Sequence, residues 1–163
     1  MKHWIALAAG LLAGASAMAQ AWPTKPIRFI VPFTAGSGTD IIARTVGDTM
    51  ARSLGQPIII ENKPGAGGTI AAAQVAKSEA DGYTILVHSS GHVVNPAIYT
   101  NLSYDTLKDL SGVVPMAALP NVLVVAPNRG WKTVGDLVAE AKAKPGKLNY
   151  ASAGVGAATH LNA

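Results

Sequence analysis

A β-branched run pinned between two prolines, followed at once by a loop of small residues and a helical repeat, constrains this fold more than any other feature. Ile27-Arg28-Phe29-Ile30-Val31 sits between Pro26 and Pro32 and reads as a buried strand. The loop Thr34-Ala35-Gly36-Ser37-Gly38-Thr39-Asp40 follows. Ser37 and Asp40 have the spacing of a capping box, with Thr39 as a competing cap. Ile42, Val46, Met50 and Leu54 then recur at helical spacing up to Gly55, a natural stop.

The same alternation continues. Residues 58–61 predict a second strand, 64–68 a flexible loop, 69–77 a short helix and 83–87 a third strand after the Asp81-Gly82 turn. Residues 88–110 read as mixed loop and short helix. The apolar runs 113–119 and 122–126 predict two more strands. Thr133 and Asp136 mark another capping box, with Val134, Leu137, Val138 and Ala141 on one face. Residues 148–151 predict a strand running into Ser152-Ala153-Gly154-Val155-Gly156, and Thr159-His160-Leu161 opens a helix. Such alternation implies an α/β fold with a largely parallel sheet. In these sheets ligands sit beyond the carboxyl ends of the strands. Little chain follows Gly156, too little to bury a helix face over several turns, so the sequence reads as cut inside a domain.

Residues 1–21 stand apart. Lys2 and His3 precede the uncharged apolar stretch 5–17, and two small-x-small sites follow, Ala17-Met18-Ala19 and Ala19-Gln20-Ala21. This is the layout of a secretory signal peptide, cleaved after Ala19 or Ala21. The stretch is short for a membrane span and lacks a stop-transfer flank. The chain has no cysteine, so an exported domain must rest on its core rather than on disulfides, and no lipid-attachment cysteine exists. The expectation is a soluble periplasmic protein. The net charge is +4 without any Lys/Arg cluster, which speaks against a nucleic-acid surface.

Two segments share the order strand, small-residue loop, helix start: Phe33 to Asp40 and Ala151 to His160. The first amides of a helix lack intrahelical partners and carry partial positive charge. Glycines admit a close backbone approach, and the hydroxyls of Thr34, Ser37, Thr39, Ser152 and Thr159 add hydrogen bonds. A carboxylate fits between two such loops without a cationic side chain. The same pattern also suits plain tight connections, and the residues alone leave both readings open. Asp40 likewise reads either as a helix cap or as a ligand contact.

Other chemistries are poorly supported. Gly154-Val155-Gly156 starts like a dinucleotide fingerprint, but Thr159 stands where its third glycine belongs. Tyr150-Ala151-Ser152-Ala153-Gly154 lacks the first glycine of a nucleophile elbow. His88 and His92 are four apart, yet Gly91 between them and the lack of a third ligand argue against a metal. The tyrosines and tryptophans form no stacking platform. Neither a catalytic group, a cofactor nor a metal is expected, and the chain reads as no enzyme.

Taken together, the segments resemble the Bug family, the extracytoplasmic receptors of tripartite tricarboxylate transporters. Trp22-Pro23-Thr24-Lys25-Pro26-Ile27-Arg28-Phe29-Ile30-Val31-Pro32-Phe33 is similar to its mature start. Gly36-Ser37-Gly38-Thr39-Asp40-Ile41-Ile42-Ala43-Arg44, Glu61-Asn62-Lys63-Pro64-Gly65-Ala66-Gly67-Gly68, Ala80-Asp81-Gly82-Tyr83-Thr84-Ile85-Leu86 and Asn149-Tyr150-Ala151-Ser152-Ala153-Gly154-Val155-Gly156 with Thr159-His160-Leu161 resemble its later signatures. The resemblance implies a type II periplasmic-binding-protein fold, with two α/β lobes of mostly parallel sheet, here truncated partway through the second. Residues 22–126 would belong to the first lobe and 127–163 to the start of the second.

It also implies a ligand that is a small organic acid: a dicarboxylate, tricarboxylate, acidic amino acid or nicotinate-like acid. Loops of both lobes would hold it, partly through water. By position, the first-lobe contacts are Phe33, Thr34, Ala35, Gly36, Ser37, Gly38, Thr39 and Asp40. The second-lobe contacts are Ser152, Ala153, Gly154, Val155, Gly156, Ala157 and Thr159, with His160 close by. Ser89, Ser90 and His92 follow the third strand as further candidates. Membrane subunits of a tripartite tricarboxylate system would be the partners of a monomeric receptor. A sensory receptor signalling to a histidine kinase, and a fragment without function of its own, are the alternatives. The chain departs from the family in having Ala35-Gly36-Ser37 where Pro-Gly-Gly is frequent, and Ala157 where Ser is frequent.

Overall fold

The computed structural model describes residues 22–162; the expected signal peptide lies outside them. Three strands, β1 (Ile27–Val31), β2 (Ile58–Asn62) and β3 (Thr84–Leu86), form one sheet in the order β2-β1-β3. Both pairings are parallel, with Phe29 opposite Ile60 and Ile85. The parallel α/β architecture expected from the alternation is therefore present. The ladder reaches slightly past β3: Arg28 N donates to Tyr83 O at 2.8 Å, and Val87 N donates to Ile30 O at 3.0 Å.

β1 is buried on both faces because helices cover both. Ile27, Phe29 and Val31 pack with Ala43 of α1 (Gly38–Leu54), and with Met50, Leu54 and Ile60 around them. Ile30, on the opposite pleat, packs with Ala71 and Val75 of α2 (Thr69–Ala76). Ile27, Phe29, Ile30 and Val31, at most 2% exposed, each contribute about 1.5–3 kcal/mol by leaving water.

Which face α1 buries differs in detail from the expectation. Its deepest positions include the small residues Ala43 and Gly47, while Ile42, Val46, Met50 and Leu54 are only partly buried. A Cβ on Gly47 would stand 3.2 Å from Ile58 Cγ2. Small residues let the helix axis come close to the sheet, so the larger apolar side chains flank the contact line.

The remaining elements are α3 (Gly91–Ile98), α4 (Val134–Ala143) and the short α5 (Ala158–Leu161), with 3-10 turns at Ala66–Gly68 and Pro127–Arg129. α4 begins with the expected capping box, in which Thr133 Oγ1 accepts from Asp136 N at 3.2 Å and Asp136 Oδ2 accepts from Thr133 N at 2.9 Å.

Three expected strands are absent. Residues 113–119, 122–126 and 148–151 are irregular. Val113, Val122 and Val124 are 82%, 76% and 81% exposed. A strand exists only when a neighbour pairs its backbone groups, and no described residue pairs with these runs. Among the described residues, no helix is long and apolar enough to cross a membrane.

Candidate functional site

Beyond the carboxyl ends of β1 and β3 lies an open crevice of about 1240 Å³. The loop after β1 supplies Phe33, Thr34, Ser37, Gly38 and Thr39, and residues 153–159 supply Ala153, Gly154, Val155, Ala157, Ala158 and Thr159. The two loops singled out in the sequence thus face a common space. Ser89 and Ser90 line it as well. None of the described lining residues is Lys, Arg, Asp or Glu, so any charge held here is held by amides, hydroxyls and helix-start dipoles.

The first loop is shaped by a buried carboxylate. Asp40 is 2% exposed. Its Oδ2 accepts from Gly36 N at 2.8 Å and from Arg44 Nε at 3.0 Å. Its Oδ1 accepts from Asn62 Nδ2 at 2.9 Å and meets Arg44 Nη2 at 3.0 Å. Asn62 also donates to Phe33 O at 3.0 Å. The Arg44 guanidinium, helped by the Gly36 amide and Asn62, holds Asp40 down to about 2 although burial opposes this. Asp40 therefore stands behind the loop with its oxygens engaged, and does not line the crevice. Ser37 is the N-cap, its Oγ accepting from Asp40 N at 3.3 Å. The amides of Gly38 and Thr39, first in the helix, have no intrahelical carbonyl to meet.

The second loop spends its hydroxyls on itself. Thr159 Oγ1 accepts from Ala153 N at 3.0 Å, and Ser152 Oγ accepts from Gly154 N at 3.3 Å. Ser152, Gly156 and His160 are not on the crevice wall, nor are Ala35 and Gly36. Gly156 is buried instead against Asn95, Tyr99 and Gly67.

Several walls were not foreseen. Pro64, Gly65, Ala66, Gly67 and Gly68 form a third side, and the irregular segment 114–119 with Asn121 forms a fourth. Leu119 rests on α1, 3.1 Å from where a Cβ on Gly38 would be. The glycine density of 65–68 was the available signal for the third side, while nothing in the apolar run marked the fourth. His88 also lines the crevice. Its Nδ1 accepts from Ser89 N at 2.8 Å, and its Nε2 edge abuts Gly68, where a Cβ would collide with it. Its ring meets Phe33 edge-on at 5.5 Å and His92 at 5.1 Å, and His92 stacks on Tyr104 at 6.1 Å. Burial, with the neighbouring His92, pushes His88 down to about 4, so it is neutral near pH 7. The two histidines are members of an aromatic row. Among the described residues no group of three His, Asp or Glu side chains could enclose a metal ion.

Fold and crevice together define an α/β protein in which helix-start loops converge on one open crevice. Residues 42–163 match the family described as tripartite tricarboxylate transporter family receptor; the chain belongs to that family. A UPF0065 protein of Bordetella pertussis is 45% identical over 96% of this chain and 49% of its own length. Protein BugT of the same organism is 39% identical over 94% of this chain and 47% of its own. Among solved structures, an R. palustris protein with adipate superposes with a TM-score of 0.81 at 36% identity, covering 86% of this chain and 47% of the other. MatC from Rhodopseudomonas palustris with bound malate gives 0.73 at 33% identity, covering 84% and 47%. The chain thus spans about half the length of the curated relatives it matches.

Proposed function

We propose that this chain forms the ligand-gripping part of a periplasmic solute-binding receptor for a small organic acid, acting by capture rather than turnover. The observation that carries this reading is the convergence of two helix-start loops, 33–39 and 153–159, on one crevice whose described lining has no ionised side chain. Carboxylate oxygens would take the free amides of Gly38 and Thr39 on one side and of the α5 start on the other, directly or through water. Thr34, Ser89 and Ser90 add hydroxyls near the mouth. Family membership and the adipate and malate held by its structural neighbours support the ligand class. Family membership supports delivery to the membrane subunits of a tripartite tricarboxylate transporter, and export through residues 1–21 would place the receptor in the periplasm.

The test is calorimetric titration of the full-length protein with dicarboxylates, tricarboxylates and acidic amino acids, adipate and malate included. Binding of at least one acid is expected, weakened by Gly38→Pro, which deletes one helix-start amide, and less by Gly38→Ala, which adds the same Cβ beside Leu119 but keeps the amide. Absence of heat across the panel would refute the reading.

A further inference from the structure

The crevice has two arms, the 65–68 wall and the 154–157 turn, and they meet on an element that belongs to neither. One face of α3 and its C-cap carries Gly91, Asn95 and Tyr99, spaced four residues apart, so they stack along one side of the helix. All three meet the 154–157 turn. A Cβ on Gly91 would collide with the carbonyl oxygen of Gly156. Tyr99 Oη donates to Val155 O at 3.0 Å. Between them Asn95 is 0% exposed. Its Nδ2 donates to Gly67 O at 3.2 Å. Its Oδ1 is buried without a hydrogen-bond partner and lies 3.0 Å from where a Cβ on Gly156 would stand. A buried amide oxygen left without a donor is costly and uncommon, and calls for a reason.

We propose that Asn95 is a positioning residue for the carboxylate crevice. Its Nδ2 fixes the 65–68 wall, and its Oδ1 is held ready to accept a main-chain N–H of the 154–156 turn as the arms draw together on a ligand. This rests on the receptor reading above. Asn95 never touches the ligand; it acts through Gly67 and Gly156. Gly91 and Tyr99 set how closely the turn can approach α3. The separation of the two arms, and with it the ligand length they span, is then fixed by this helix face rather than by the loops alone. The close approach also explains why glycine stands at 67, where a Cβ would lie 2.5 Å from Val155 O.

The test uses the full-length protein as wild type, Asn95→Ala, Asn95→Asp and Tyr99→Phe. Hydrogen exchange is followed by mass spectrometry at 65–68, 153–157 and β1, in the free protein and with a saturating dicarboxylate, and affinity is titrated with linear dicarboxylates from malonate to suberate. Asn95→Ala should speed exchange at 65–68 in both states and at 153–157 in the acid-bound state, and leave β1 protected. It should weaken the tightest-held dicarboxylate by about tenfold, the ~1.4 kcal/mol scale of one hydrogen bond. Asn95→Asp keeps the size and the acceptor but loses the amide donor, so exchange should rise at 65–68 while 153–157 stays protected in the acid-bound state. Tyr99→Phe should loosen 153–157 alone.

Unchanged exchange at 153–157 in acid-bound Asn95→Ala, or a rise spread through β1 as well, would overturn the proposal. So would wild-type affinity in that variant. Should wild type bind none of the acids, the receptor reading falls, while exchange at 65–68 in free Asn95→Ala still decides whether Asn95 holds that wall.

Discussion

Replacing Asp40 by Asn is the sharpest perturbation of the first loop. The substitution keeps shape and removes charge. In the native site both carboxylate oxygens accept, one from Gly36 N and Arg44 Nε, the other from Asn62 Nδ2 and Arg44 Nη2. A carboxamide has only one acceptor oxygen, so its NH₂ must point at two donors on the other side. The charge-assisted bonds to Arg44 are the largest single loss. The fall of Asp40 from 3.8 to about 2 corresponds to about 2.5 kcal/mol, at ~1.36 kcal/mol for each pH unit. Two donors left facing an NH₂ group add to this, so Asp40→Asn should cost about 2–4 kcal/mol at pH 7.

The pH dependence carries the sign. Asp40 has a folded value below its unfolded one. Its contribution is therefore complete above about pH 4 and is lost as pH falls toward and through about 2. Urea denaturation of the full-length protein and of Asp40→Asn at pH 7, 4 and 2.5 reads this directly. The gap between the two midpoints should be wide at pH 7 and narrow as the wild-type carboxylate protonates. A cost under about 0.5 kcal/mol at pH 7, typical of an unremarkable surface change, or a gap that does not close with acid, would refute the assignment.

Two further outcomes follow from the same geometry. His88, buried and held down to about 4, stays neutral in the fold while its unfolded counterpart protonates below about 6.5. It therefore contributes stability that is complete above that value and is lost as pH falls toward 4, up to about 3 kcal/mol in all. His92, also lowered by burial, acts in the same direction. His88→Leu should flatten, without abolishing, the decline of urea midpoint between pH 6.5 and 4; an unaltered slope would contradict the burial argument. Gly55 closes α1 at φ 68° with open space where a Cβ would go. Gly55→Ala should therefore cost about 1 kcal/mol through backbone conformation alone, and Gly55→Asn less, as judged from thermal melts; equal costs for both would argue against that cause.

The sequence was most legible where one segment completes its own structure. β1 and α1 could be placed because a proline-bounded β-branched run and a capped helix announce themselves, and the 133–136 capping box closed as its spacing implied. Strands 113–119 and 122–126 failed because apolar β-branched composition states a preference, while a strand requires a partner that local sequence does not name. Ala43 and Gly47 escaped because a search for large apolar residues overlooks small ones at a close crossing. In the site, the β1 loop was recognisable from its helix start. The 65–68 wall and the Gly91-Asn95-Tyr99 face were not, since what matters there is which backbone they meet, and that is a property of the packed fold.

The arrangement of charge around the first loop bears on how a neutral-walled crevice could hold an anion. An acidic residue in the first turn of a helix usually spends the positive end of the helix dipole on itself. Asp40 occupies that position in α1. It is saturated by Arg44 and Asn62 from behind, and Gly36 is the one loop amide it consumes. Arg44 cancels its charge at 3.0 Å, so Asp40 fixes the loop without offering a net negative field to the crevice. The amides of Gly38 and Thr39 are thereby presented in a fixed direction, with no cation in the wall. A guanidinium there would grip any carboxylate, phosphate or sulfate through a bidentate pair. Oriented amides and hydroxyls instead demand that oxygens sit at particular points, which in the proposed receptor would favour discrimination by shape over strength of grip. Introducing a cation, as in Thr34→Arg, should accordingly broaden the range of bound anions more than it tightens any one of them.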